Sequence, residues 1–116
     1  KINQAVKLTT KKRSEIKIAC LGLSFKPDID DLRESPALSI AKQINLMKFN
    51  EIFLVEPNIN QIPKGFDLNI TKLTSIENAL KIVDIVVLLV DHSEFKSIDL
   101  NLLSGKQIID TRGIWS

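Results

Sequence analysis

The sequence predicts a Rossmann-like α/β fold, a doubly wound and mainly parallel sheet with helices on both faces. Short apolar, partly β-branched runs recur along the chain, as is typical of strands that are buried on both faces. Segments whose apolar residues have helical spacing separate these runs, which indicates βαβ units with right-handed crossovers. Charged residues gather where the runs end, and ligands of open α/β sheets bind in the crevice beyond the carboxyl ends of the strands.

Length and composition limit the possible classes. The chain has 116 residues, of which 44% are apolar and 26% are charged, so it can build one core. A net charge of +2 with scattered lysines does not favour nucleic-acid binding. Cys20 is the single cysteine and lies inside a predicted strand, which indicates a buried hydrophobic residue. No apolar run is long enough for a membrane span, and we expect a cytoplasmic protein.

The first residues have the pattern of a helix. Residues 1–14 place Ile2, Ala5 and Val6 at roughly helical spacing, and the chain starts at Lys1 rather than at a methionine. Such a short helix is marginal without further contacts. We therefore expect residues 1–14 to be the end of a connecting helix from an upstream domain, and residues 15–116 to form the domain itself.

The first βα unit follows. Residues 16–23 (IKIACLGL) predict a buried strand, and Ser35 and Pro36 predict the N-cap and first position of a helix. The apolar face of that helix is predicted to contain Ala37, Ile40, Ala41, Ile44 and Met47.

The remaining elements continue the alternation. Strands are predicted at residues 51–56, more weakly at 68–71, and then at 84–90 and 107–110. Thr74 and Glu77 have the spacing of a capping box for a helix between the second and third of these runs. A short helix is expected at 94–96 or at 100–103.

Residues 21–37 (LGLSFKPDIDDLRESPA) form a charged loop at the mouth of the first strand. A dinucleotide-binding turn needs G-x-G-x-x-G, and only Gly22 is present, so an anionic ligand has to be held by side chains. Lys26 and Arg33 are the cations of this loop. Only three of the 16 basic residues are arginines, and Arg33 and Arg112 both follow predicted strand ends, where a planar guanidinium suits a diphosphate.

Three segments of the sequence together resemble the carboxy-terminal UDP-binding domain of the UDP-glucose/GDP-mannose dehydrogenase family. They are GLSFKPDIDDLRESPA, VDHSEF and IIDTRGIW, and the resemblance covers nearly the whole chain. The family's F-K, R-x-S and D-x-R motifs are present, respectively, at Phe25 and Lys26, at Arg33 and Ser35, and at 110–112. Further segments, including V-E-P-N at 55–58 and V-D-H-S at 90–93, resemble the sequences of the branch that acts on UDP-N-acetyl-D-mannosamine.

The resemblance implies that the whole enzyme oxidises a UDP-sugar alcohol to a carboxylate with NAD, for bacterial surface polysaccharide synthesis. It implies upstream NAD-binding and central domains, the latter carrying a catalytic cysteine, and a homo-oligomer. This segment alone is expected to be inactive, with no catalytic or metal-binding residue of its own. Phe25, Lys26 and Arg112 match positions that contact the UDP-sugar, and Arg33 matches an arginine that reaches NAD.

The remaining polar and aromatic residues have structural interpretations. Asp28, Asp30 and Asp31 are expected to organise the loop, because a carboxylate beside a phosphate is repelled. His92 is interpreted as part of a turn and helix cap, and Trp115 as a packing residue.

Three alternatives stay open at this point. One is a UDP-glucose-type 6-dehydrogenase domain. A second is a flavodoxin-like phosphoacceptor, in which the acidic residues of the loop would hold Mg²⁺. The third is a stand-alone interaction module.

Overall fold

The computed structural model describes residues 2–24, 32–33 and 35–115, and these form a five-stranded sheet in which every pairing is parallel. The strands are β1 (Lys17–Leu21), β2 (Glu51–Val55), β3 (Thr71–Leu73), β4 (Ile85–Leu88) and β5 (Gln107–Asp110). Their order across the sheet is β3-β2-β1-β4-β5. The order reverses direction between β1 and β4, and this switch point is where open α/β sheets bind ligands.

Helices cover both faces of the sheet. They are α1 (Ile2–Thr9), α2 (Pro36–Asn45), α3 (Ile76–Ile82) and α4 (Ser93–Lys96), with 3₁₀ turns at Arg13–Glu15 and Leu100–Leu103. On one face α1 and α2 pack against Ile18, Cys20 and Leu54. On the other face α3 and α4 pack against Ala19, Leu21 and Phe53. The prediction of a doubly wound parallel sheet is therefore confirmed.

Helix α2 begins as the sequence predicts. The Ser35 hydroxyl accepts a hydrogen bond from the backbone N–H of Leu38 at 3.2 Å, and Pro36 occupies the first helical position. Ala37, Ala41 and Ile44 are buried, but Ile40 is 39% exposed and lies outside the buried stripe.

Three local expectations need correction. The weak strand expected at 68–71 lies instead at Thr71–Leu73, because residues 67–70 form a turn in which Asp67 O accepts from Ile70 N. Helix α3 is capped by Ser75, whose hydroxyl accepts from Asn78 N at 3.2 Å, and not by Thr74. A short helix is expected at either 94–96 or 100–103, but the structure has both, as α4 and as the 3₁₀ turn at Leu100–Leu103.

The exits of β1 and β4 are in very close contact. Gly22 has φ +93, and a Cβ placed on it would lie 2.5 Å from the Cβ of Val90. Leu89 N and Val90 N both donate to Leu21 O, at 2.9 and 3.2 Å. These contacts leave no space between the exits of β1 and β4. A ligand at the switch point must therefore lie above the ends of these strands rather than between them.

Candidate functional site

The candidate site is the carboxyl edge of the sheet, around the exits of β1, β4 and β5. Of the residues expected to bind the ligand, Arg33 and Arg112 lie within the described part of the chain, and both are exposed. Five others that the sequence singles out lie outside the described residues: Phe25, Lys26, Asp28, Asp30 and Asp31.

The turn that follows β5 is organised by Asp110. Its Oδ1 accepts hydrogen bonds from Arg112 N at 2.9 Å and Gly113 N at 2.7 Å, and its Oδ2 accepts from Trp115 N at 2.9 Å. Burial opposes ionisation of this carboxyl group, but the backbone donors outweigh burial and hold the pKa of Asp110 below its ordinary value. The aspartate of the D-x-R motif thus holds the turn that presents its arginine.

Arg112 lies across the end of the neighbouring strand. Its Nε donates to the carbonyl oxygen of Leu89 at 3.1 Å, and the preceding Thr111 hydroxyl donates to Leu88 O at 2.6 Å. These contacts orient the guanidinium over the exit of β4, next to the switch point. A side chain held through Nε has two terminal nitrogens directed away from that bond, which is the geometry that grips phosphate oxygens in pairs.

Arg33 reaches the same edge by another route. Two residues after it, the Ser35 hydroxyl contacts Leu23 O at 2.7 Å and Ser24 O at 3.2 Å, which fastens the start of α2 to the exit of β1. β1 and β4 are adjacent strands, so the chain places Arg33 and Arg112 at the same edge of the sheet.

A buried polar cluster lies beneath this edge, and sequence reasoning did not identify it. We call it the Glu56 cluster: Ser24, Glu56 and His92, which are 1%, 3% and 1% exposed. His92 Nε2 lies 2.8 Å from Glu56 Oε1 and 3.4 Å from Ser24 Oγ. The sequence does contain an indication of the cluster, because Glu56 directly follows the apolar residues of a predicted strand. A carboxylate that is buried at such a position requires hydrogen-bond donors around it.

Glu56 accepts hydrogen bonds from three segments of the chain. Oε1 accepts from Leu23 N at 2.9 Å and Ser24 N at 3.1 Å, and Oε2 accepts from Asn58 N and Nδ2, both at 3.1 Å. Burial would raise the pKa of Glu56, but the hydrogen bonds from His92 and from the backbone lower it below the ordinary value. The carboxylate is therefore kept in its ionised form.

The interpretation of His92 as a helix cap is only half right. The residue occupies the N-cap position of α4, but its side chain makes no capping hydrogen bond and turns inward to Glu56. Its ring packs edge-on against Phe95, with 5.3 Å between ring centroids. Ser24 and Glu56 both approach the same ring nitrogen, whereas a catalytic triad uses the two different nitrogens. The contacts of Ser24 and Glu56 to a single ring nitrogen therefore differ from those of a catalytic triad.

The exit of β1 does not fit a dinucleotide. In a dinucleotide-binding turn, free backbone N–H groups after the first strand hold the pyrophosphate. Here Gly22 N donates to Val55 O at 2.8 Å, and the N–H groups of Leu23 and Ser24 donate to the carboxylate of Glu56. The described N–H groups at this exit thus already have internal acceptors, and they do not fit a pyrophosphate bound in the Rossmann manner.

Trp115 is half-buried and packs against the core, in agreement with its interpretation as a packing residue. Its Nε1 donates to Phe95 O at 2.8 Å, and its ring lies against the hydrophobic cluster beneath α3 and α4.

A cavity of about 420 Å³ lies between α1 and β5. The described residues that line it include Ala5, Leu8 and Ile108 but no cation, so it does not suit a diphosphate.

Within residues 2–24, 32–33 and 35–115, no three His, Cys, Asp or Glu side chains are placed to hold a metal ion. No helix in these ranges has both the length and the apolar character needed to cross a membrane.

Comparison with known proteins shows the family of the chain. A sequence model of the UDP-glucose/GDP-mannose dehydrogenase family, UDP binding domain, matches residues 19–116. The UDP-N-acetyl-D-mannosamine dehydrogenase of Salmonella typhimurium is 46% identical over 114 residues, covering 98% of this chain and 27% of the relative. The NDP-N-acetyl-D-galactosaminuronic acid dehydrogenase of Ralstonia solanacearum is 45% identical over 111 residues, covering 96% of this chain and 26% of the relative.

A solved structure shows the same relationship. The UDP-D-ManNAc dehydrogenase of Pyrococcus horikoshii superimposes with a TM-score of 0.75 at 29% identity, covering 97% of this chain and 25% of the other. The chain thus spans about a quarter of the proteins that it matches. Family model, sequence relatives and fold agree, and the chain belongs to the UDP-glucose/GDP-mannose dehydrogenase family as its UDP-binding domain.

Proposed function

We propose that the carboxyl edge of the sheet binds the UDP portion of a UDP-sugar. Arg112 contacts the diphosphate, Lys26 adds a second positive charge, and Phe25 supplies apolar surface. Arg33 extends from the same edge toward NAD. NAD itself is held mainly by domains outside this chain, because Glu56 occupies the backbone donors at the exit of β1.

The observation that carries the proposal is the fixed guanidinium of Arg112. Its Nε donates to Leu89 O, while Asp110 holds the backbone of the same turn. A cation that is ordered before the ligand arrives loses less side-chain entropy on binding, which favours a specific phosphate contact. Both oxygens of the nearby Asp110 accept hydrogen bonds from backbone N–H groups, which does not favour a role for Arg112 as half of a surface ion pair with that aspartate.

The wider proposal concerns the protein that contains this domain. We infer that it is an NAD-dependent dehydrogenase that oxidises UDP-N-acetyl-D-mannosamine to the uronate in the cytoplasm, as a homo-oligomer whose catalytic cysteine lies outside this chain. The 46% identity to an enzyme of that name supports this sugar. A second candidate is an N-acetylgalactosamine sugar nucleotide, which the 45% identical Ralstonia relative favours. Both candidates carry an N-acetylated hexosamine.

Binding of the nucleotide is tested by calorimetric titration of the 116-residue chain with UDP. We expect a dissociation constant of roughly 1 mM or somewhat tighter, weakening as salt screens the phosphate contacts. CMP, which has a single phosphate, serves as the control ligand and should bind more weakly. Absence of heat with UDP from a folded chain would contradict the proposal.

The sugar is tested with a chimera. The matching quarter of the Salmonella typhimurium enzyme is replaced by this chain, and NADH formation is followed with UDP-N-acetyl-D-mannosamine, UDP-N-acetyl-D-galactosamine and UDP-glucose. We expect activity with the mannosamine substrate, and its loss on Arg112→Lys. An active chimera that Arg112→Lys leaves unchanged would remove Arg112 from the site.

A further inference from the structure

The loop that precedes α2 is fastened at both of its ends. Ser24 and Leu23 stand before the loop, and Ser35 stands after it. The Ser35 hydroxyl contacts the carbonyl oxygens of Leu23 and Ser24, while Glu56 Oε1 accepts from the N–H groups of the same two residues. All four polar groups of this two-residue exit of β1 are therefore held by side chains from elsewhere in the chain.

Glu56 is the centre of this arrangement. It directly follows β2. Its carboxylate is hydrogen-bonded to Leu23 at the exit of β1, to Asn58 two residues further along the chain, and to His92 beyond the exit of β4. A glutamine at position 56 would keep the size of the side chain but would turn an N–H donor toward groups that are themselves donors. Only a carboxylate accepts at both oxygens in this position.

The charge is expensive to bury. Glu56 is 3% exposed, and an ionised carboxylate in the interior costs several kcal/mol unless donors surround it. An apolar residue could fill the same space without that cost, but it could not fix the direction of two backbone N–H groups. The arrangement thus favours a role in geometry over one in stability.

We propose that Glu56 and His92 are positioning residues, which fix Leu23 and Ser24 at the exit of β1, and with them the Ser35 hydroxyl at the start of α2, in the arrangement that the UDP site requires. This inference rests on the proposed function. Glu56 acts through the backbone of Leu23 and Ser24, and His92 acts by holding Glu56 through its Nε2 hydrogen bond. Neither residue is expected to touch the nucleotide, because both are buried.

The main test compares Glu56→Gln with a matched control, Asn45→Ala. Asn45 is also buried, and it donates to Thr71 Oγ1 at 2.8 Å at the other end of α2, far from the exit of β1. UDP titrations are made at a temperature where each variant of the 116-residue chain is folded, as judged by circular dichroism. We expect Glu56→Gln to raise the dissociation constant for UDP roughly tenfold, because a shift of the β1 exit displaces groups that contact the nucleotide. Asn45→Ala should change this constant by less than about twofold.

The outcomes separate the two proposals. If Arg112→Lys weakens UDP binding and Glu56→Gln does not, the positioning role is overturned and the UDP site stands. If the unaltered chain binds no UDP, the proposed function fails, and amide NMR shifts then test the positioning role by itself. Glu56→Gln must then move the amide resonance of Arg33, two residues before Ser35, further than Asn45→Ala does, and equal shifts would overturn the inference.

A second pair of variants covers the case in which Glu56→Gln does not fold. His92→Gln keeps an N–H donor for Glu56, and His92→Leu removes it. We expect His92→Gln to bind UDP within about twofold of the unaltered chain and His92→Leu to bind several-fold more weakly. Equal affinities for the two folded variants would show that the hydrogen bond to Glu56 does not position the loop.

Discussion

The Nε atom of Arg112 donates a hydrogen bond to the carbonyl oxygen of Leu89, 3.1 Å away, so an arginine from the end of β5 rests on the end of β4. This bond selects the orientation of the guanidinium before any ligand is present. It also means that lysine cannot replace this residue, because an ammonium group cannot make this contact and face a phosphate with a planar pair of donors.

Arg112→Lys is expected to weaken UDP binding by about tenfold, because the variant keeps the charge but loses the planar pair of donors. The measurement is calorimetric titration of the 116-residue chain at two salt concentrations. Arg13→Lys is the matched control, since Arg13 precedes β1 at the amino end of the sheet and lies 5.9 Å from the ring of Phe49. Equal losses in both variants would contradict a specific role for Arg112.

Stability is expected to fall in acid. The folded-state pKa values of Glu56 and Asp110 lie below their ordinary values of 4.5 and 3.8, so both carboxylates bind protons less readily in the folded chain. Their stabilisation is complete above about pH 5 and is lost as the pH falls through the folded pKa values. Urea unfolding between about pH 7 and pH 3 measures this loss.

Glu56→Gln should flatten that pH profile, because the glutamine side chain does not titrate. Glu51 also has a lowered pKa, caused first by its hydrogen bond to Lys72. This ion pair is partly exposed and weakens in salt, so a profile taken at high salt isolates the contributions of Glu56 and Asp110. An unchanged slope in Glu56→Gln would contradict the assignment of the acid loss to Glu56.

Gly22→Ala is expected to destabilise the fold by about 3 kcal/mol, because the new Cβ meets Val90 and an alanine is strained at positive φ. Gly105→Ala is the control for strain alone, since Gly105 has φ +80 and a Cβ there would meet no atom within 4 Å. That control should lose only about 1 kcal/mol. Chemical unfolding measures both, and equal losses would contradict the close contact between Gly22 and Val90.

Cys20 is expected to be inert in the folded protein. It is fully buried in β1, and burial raises the pKa of its thiol to about 12. Iodoacetamide should therefore alkylate it only through unfolding, at a rate that follows the stability of each variant. Mass spectrometry after timed labelling measures this rate. Rapid labelling of a chain that is folded by circular dichroism would contradict the burial.

The parts of the fold that local chemistry determines were predictable from the sequence. β5 has the predicted bounds, Gln107–Asp110, because an apolar run indicates a strand by itself. Ser35 caps α2 as predicted, because a hydroxyl residue directly before a proline favours the start of a helix at that position. The cap of α3 moved from Thr74 to Ser75, because two adjacent hydroxyl residues compete for one position. β3 has only three residues, and its place depends on its pairing with β2.

The site divides in the same way. The D-x-R turn was visible because Asp110, Thr111 and Arg112 are consecutive in the sequence. The Glu56 cluster was not, since Ser24, Glu56 and His92 are brought together only by the order of β1, β2 and β4. His92 looked like a cap because the sequence shows its neighbours along the chain and not the carboxylate that faces it from another strand.

The place of β1 in the middle of the sheet has a consequence for synthesis on the ribosome. β1 is made early, and it can pair with β2 on one side once Val55 has emerged, but its other partner, β4, begins only at Ile85. Until then one side of β1, whose residues 18–21 are all apolar, carries unpaired backbone groups, which favour association with other nascent chains. Slowing translation before residue 85 should therefore increase aggregation of this chain, whereas slowing it after β4 is complete should not.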